Sequence, residues 1–224
     1  MNVQAIQILF LKDLFLSRRP LFAYFAAGLG SSVLAGVPNS TIAFVGFILM
    51  LTVGIAAGIH LIGNLLLAET SDHTRLFVMS LPVSLLDYSL AKIAVVLTTY
   101  LIPWLGMFAC SMILGFVLPW AQQGSVVVVP AIFFFLLASF MIQLVVAVVT
   151  ESVGWTICVM VAGNVLLNVF LMKLFADPTI SAMTKSDVLT WPPLVLQILA
   201  VEIVLIVATL AMALYFQTRK RDLI

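Results

Sequence analysis

The sequence predicts an all-α polytopic membrane protein, and three observations predict it. The chain of 224 residues is 64% hydrophobic and only 8% charged, with a mean hydropathy of +1.26. A soluble domain carries roughly 25% charged residues, so this chain lacks the material to clothe a globular surface in solvated groups. Several apolar runs exceed the ~18–20 residues that cross a hydrocarbon core as helix. Their continuity excludes a β-barrel, whose strands alternate over ~10 residues. The basic residues, finally, gather on one side of the runs. The net charge of +1 gives no sign of a nucleic-acid or acidic-substrate partner.

Taken in order, residues 1–19 are apolar but too short and too charged near their end to span. At a helical period, Gln4, Gln7, Lys12, Arg18 and Arg19 share a broad arc into which Ile8, Leu11 and Phe15 intrude. That pattern suits an amphipathic helix in the membrane interface. Lys12, Arg18 and Arg19 follow the apolar residues, which is the wrong order for a cleavable signal. Six spans follow, at about 20–37, 42–68, 88–118, 126–149, 155–173 and 193–216, and all 224 residues read as one transmembrane domain. Pro20 opens the first span, where its missing N–H costs little. Pro103 kinks the third. The run "FFFLL", residues 133–137, reads as lipid-facing bulk. Residues 174–192 form a longer loop, either short helices or polar linker.

With the amino terminus in the cytoplasm, Lys12, Arg18, Arg19, Arg75, Lys92, Arg219, Lys220 and Arg221 lie inside, and only Lys173 and Lys185 outside. This positive-inside bias puts both termini in the cytoplasm of a multi-pass plasma-membrane protein. Trp120 and Trp191 then mark the outer interface and Trp155 the inner one. Lys92 and Lys173 sit near span ends, from which they can snorkel.

On this topology residues 69–87 are the sizeable cytoplasmic loop. Ser71 or Asp72 can cap a short helix there, and Leu81-Pro82 ends it, because the residue before proline is pushed out of α geometry. Such a helix either lies on lipid headgroups or presents Phe77 and Met79 to a soluble partner. The whole segment, "ETSDHTRLFVMSLPVSLLDYSLAK", resembles the connection between the second and third spans of ABC-2-type permeases, the membrane subunits of one class of ATP-binding-cassette exporter. The matching features are Glu69, Leu81-Pro82-Val83-Ser84, Tyr88 and Ala91-Lys92, together with the six spans and the amino-terminal helix.

The resemblance implies the ABC-2, type V exporter-like architecture, found in bacterial inner membranes. Residues 70–82 become a coupling helix docked on a separate ATPase subunit, with Glu69, Asp72, Arg75, Phe77, Met79, Leu81 and Pro82 as contacts and Glu151 as a second acidic contact at a helix end. It also implies a second permease, as a copy or paralogue, in an assembly of two permeases and two ATPases. ATP and magnesium belong to the partner, since this chain has no phosphate-binding G-x-x-x-x-G-K-[ST] motif and needs no cofactor of its own. The second and fifth spans of such exporters line the path.

Candidate path residues are therefore His60 and Asn64, four apart in the second span, Asn164 and Asn168, four apart in the fifth, and Glu202 in the middle of the last. A charge at that depth costs ~2.5–3.5 kcal/mol, so Glu202 is neutral, paired or facing water. It is either a substrate contact or a carboxyl hydrogen-bonded to a neighbouring helix. For the asparagines the competing account is interhelical hydrogen bonding. His60 lacks a second ligand at metal spacing. Gly54 and Gly58, a G-x-x-x-G pair, read as helix packing, and Cys110 and Cys158 as packing residues. No nucleophile–base or paired-acid arrangement indicates an enzyme. The alternatives to an exporter permease are a non-transporting scaffold or immunity-type protein, and a haem-exporter membrane subunit. The last would carry a Pro-Leu-Pro step that "SLPVSLLDY" lacks.

Overall fold

The computed structural model describes residues 3–67 and 85–219, and the regular structure among them is helical. Helix α1 is Val3–Leu16, α2 Arg18–Ala35, and α3 Ser40–Ile62, which runs on into a π-helical turn, Gly63–Leu67. Then come α4 (Leu85–Val117), a 3-10 turn (Gln123–Val127), α5 (Val128–Thr150), α6 (Val153–Ala176), α7 (Pro178–Met183) and α8 (Pro193–Arg219). Five stretches are long and apolar enough to cross a membrane: Ser40–Leu67, Tyr88–Val117, Gln123–Thr150, Val153–Ala176 and Pro193–Phe216. This is the architecture of a multi-pass helical membrane protein. Helix α2 has 18 residues but opens on Arg18 and Arg19 and carries two serines and two glycines, and it is not among the five.

Local chemistry sets the helix ends. The Asn39 side chain accepts from the backbone N–H groups of Thr41 (3.0 Å) and Ile42 (3.2 Å), satisfying two free donors at the start of α3. Asp177 does the same for α7 through Thr179 (2.9 Å) and Ile180 (3.2 Å), with Pro178 at the first helical position. Helix α5 stops at Glu151, whose φ of 50° is left-handed and whose N–H returns to the Ala147 carbonyl.

Helix α5 is the central post, packed against α3, α4, α6 and, most extensively, α8. Helices α2, α3 and α4 form a second group, and α1 lies along α4. Small residues allow these approaches. A Cβ at Gly46 would collide with the backbone of Leu34 and Ala35, so α2 and α3 nearly touch there. Met107 of α4 fills the space over Gly28, and Phe25 of α2 the space over Gly106. Gly54 and Gly58 face Leu136 and Phe140 of α5, which is the packing role their spacing predicts.

One expectation about burial is overturned. Phe133 is 0% exposed, Leu136 4% and Leu137 8%, so "FFFLL" is core and not lipid-facing bulk. Phe133 meets Trp104 and Phe108 edge-on, and the Trp104 N–H donates to its carbonyl oxygen at 2.9 Å. In α1 the exposed side carries Gln7, Ile8, Leu11, Lys12 and Phe15, the broad mixed arc read from the sequence, while Asp13 and Ser17 are buried. The contact of α1 with α4 is built around a charge. Residues 174–192 hold the short helix α7, whose Ile180 and Met183 join a core cluster with Leu167, Leu174 and Val195. Cys110 is half-buried and Cys158 exposed.

Candidate functional site

Of the residues assigned to ATPase coupling, Glu69, Asp72, Arg75, Phe77, Met79, Leu81 and Pro82 lie outside the described residues. Glu151 is described, half-buried in the tight joint between α5 and α6. That joint lies at the end of the bundle from which residues 68–84 depart, because α3 ends there, α4 begins there and α5 ends there.

A buried ion pair dominates the same end. Lys92 Nζ lies 2.7 Å from Asp13 Oδ2, with side chains 6% and 4% exposed. Lys92 therefore does not snorkel; it is neutralised inside the protein by the acid of α1. Lys12 reaches the other carboxylate oxygen at 3.9 Å from the solvent side, and the Tyr88 ring lies 5.6 Å from Lys92 Nζ. Two charges withdrawn from water persist only when well paired, and removing one partner of such a pair costs ~3–5 kcal/mol. The pair fastens α1 to the first turns of α4, the helix that leads out of residues 68–84. Sequence reading placed Asp13 in no pattern; the available signal was a lone acid in an apolar segment, facing a lone lysine in an apolar span.

The candidate path residues occupy three different places. His60 and Asn64 contact each other at 2.6 Å, and the Tyr24 ring lies 5.6 Å from the imidazole. Among the described residues His60 Nδ1 has no hydrogen-bond partner. Asn64 is exposed, on the π-helical turn. On α6 the side-chain amide of Asn164 donates to the Met160 carbonyl and that of Asn168 to the Asn164 carbonyl, at 3.0 and 2.9 Å. These bonds are local to the helix, not interhelical. Asn164 is half-buried and Asn168 exposed. Glu202 is 4% exposed on the stripe Val195, Glu202, Thr209, Ala213 that α8 turns inward, and α8 packs chiefly on α5. Among the described residues neither carboxyl oxygen has a hydrogen-bond partner. A second polar spot escaped sequence reading: Gln143 donates to Ser139 at 3.2 Å on α5, facing Gly163 of α6. Its signal was the four-residue spacing within an apolar helix.

The opposite end of the bundle holds a cavity of about 620 Å³. Its walls are the end of α2, the start of α3, the end of α4 and the start of α5. Phe47, Met50, Val129 and Phe133 line its depth, and Ser40, Trp120 and Gln122 its mouth. The Trp120 indole N–H donates to the Gly36 carbonyl at 3.0 Å, which fixes the ring across the entrance.

No family model, curated protein or solved structure matches this chain. Among the described residues no group of three or more His, Cys, Asp or Glu is placed to hold a metal ion.

Proposed function

We propose that this chain is the permease subunit of an ATP-binding-cassette exporter, with α2 as a sixth span and residues 69–87 as the loop that engages a separate ATPase. The observation that carries the reading is the Asp13–Lys92 pair. It makes α1 and the start of α4 one unit at the end where that loop attaches. A displacement of the loop is then passed to two helices instead of being absorbed at a flexible joint. With Lys12, Arg18, Arg19, Lys92 and Arg219 gathered at this end, positive-inside bias makes it the cytoplasmic face of a bacterial inner membrane. Exposed Trp155 lies at the same end, and exposed Trp120 and Trp191 at the other, as two interfacial belts require.

Two copies of the chain complete the path. Asn64 and Asn168 are polar groups on surfaces otherwise suited to lipid, and each bonds within its own helix. Facing surfaces of two permeases shelter them from hydrocarbon. Glu202 belongs to the α5–α8 seam, where a neutral carboxyl is the form that burial tolerates.

The test is coexpression with a candidate ATP-binding-cassette ATPase from the same source, chosen for a reading frame that adjoins this one if such a frame exists. Phe77→Asp with Met79→Asp should abolish copurification while leaving membrane insertion unchanged. Capture of the ATPase at normal stoichiometry by the double variant would overturn the docking surface.

A further inference from the structure

We infer that the cavity at the end remote from residues 68–84 binds a single-chain amphiphile with an uncharged, hydrogen-bonding head. This inference does not depend on the ATPase reading. The cavity's about 620 Å³ lies within the ~300–1,000 Å³ of small-molecule sites. Its depth matches one leaflet: along α3 the lining runs from Ser40 to Met50, about 15 Å of helix, against half of a ~30 Å hydrocarbon core.

The chemistry changes with depth. Far from the mouth, the lining hydroxyls are committed to the protein. Ser32 donates to the Gly28 carbonyl at 2.9 Å and Ser111 to the Met50 sulfur at 3.4 Å. What remains is Phe47, Met50, Val129, Ile132 and Phe133, a surface that offers water no partners. The cavity is open at its mouth, and in its apolar depth water lacks the two to four polar partners it needs to stay. Hydrocarbon is the occupant that fits. At the mouth, Ser40 and Gln122 supply hydroxyl and amide groups and Trp120 a fixed ring edge. No Asp, Glu, Lys, Arg or His lines the cavity, so nothing there compensates a charged head.

The experiment uses the purified full chain in phosphatidylcholine nanodiscs with a diazirine-bearing monoacylglycerol, and maps the crosslinked peptides by mass spectrometry. Labelling should concentrate on residues 40–50 and 122–133 and be saturably displaced by unlabelled monoolein. Ala43→Phe, which fills the wall, should raise the half-saturating concentration by about tenfold, the loss of one good apolar contact. Ala162→Phe, on the exposed side of α6, should leave it unchanged. Ala121→Trp at the mouth replaces Ala43→Phe if the latter fails to fold, and displacement in the unmodified chain decides the matter if both fail. Labelling spread evenly over α6 and α8, or insensitive to monoolein, would overturn the site. Stronger displacement by a lysophosphatidylglycerol would overturn the uncharged head.

Discussion

Helices α5 and α6 are consecutive, joined through Glu151 and Ser152, and both are apolar enough to span, with mean hydropathies of 2.8 and 2.0. Yet 61% of the most apolar window of α5 is buried and only 17% of that of α6. Apolar content decides that both helices leave water. It does not decide which one other helices surround, because lipid tails and leucine side chains are equivalent neighbours in hydrophobicity. The difference arises from fit. Helix α5 meets Gly54 and Gly58 of α3, the Trp104 indole of α4 and the inward stripe of α8. Helix α6 offers Trp155, Ile157, Val161 and Val165 to whatever lies outside.

The comparison can be broken most forcefully at Phe133, which is 0% exposed. Phe133→Ala should cost ~3–5 kcal/mol, whereas Val165→Ala on α6 should stay within ~0.5 kcal/mol; thermal unfolding in one detergent measures both. Equal losses would erase the distinction. A smaller effect is expected from Trp104→Phe, which keeps one aromatic ring but trims the buried indole and leaves the Phe133 carbonyl without its donor, for ~1–3 kcal/mol. At the joint between the two helices, Glu151→Gly should raise stability by up to ~1 kcal/mol, because relief of left-handed strain worth ~1–2 kcal/mol exceeds the ~0.5–1 kcal/mol of extra entropy that glycine loses on folding. A fall there would rank the contacts of the Glu151 side chain above its backbone.

The smallest effect concerns the far end of α6. The Thr179 hydroxyl, then the backbone N–H groups of Ile180 and Thr179, hold the Asp177 carboxyl below its ordinary value of 3.8. A depressed carboxyl contributes above its unfolded value and loses that contribution as pH falls through the folded one. Protection of the Thr179 and Ile180 amides, measured against the exchange rate of an unstructured chain at the same pH, should therefore be steady down to about the ordinary carboxylate range and fall below it. In Asp177→Asn the acid-induced fall should be absent.

What the sequence made legible follows the same division. Helix ends at 40, 85, 117, 128, 150, 153 and 193 lie within a few residues of those read from the apolar runs, because turn residues such as Asn39 and the hydrophobic runs act locally. The burial of "FFFLL" and the scatter of the path residues were not legible, since each depends on a helix distant in the chain. Asp13 illustrates the limit: next to Lys12 it looks like a surface charge, and only α4 shows otherwise. The π-helical turn at Gly63–Leu67 and the cavity likewise have no local signature. Gly46 reads as one more small residue in an apolar helix until the backbone of α2 is seen against it.

The Asp13–Lys92 contact also sets an order of birth. Synthesis delivers the carboxylate well before its ammonium partner, so the first helix must wait with Asp13 unpaired until the fourth is made. Lys92 without Asp13 would be one half of a buried ion pair, and losing a partner of such a pair costs ~3–5 kcal/mol. The amino-terminal segment thus escorts a later segment of its own chain into the membrane. Removing it should be felt first as misinsertion of α4, some eighty residues downstream, and not as loss of the amino-terminal helix itself.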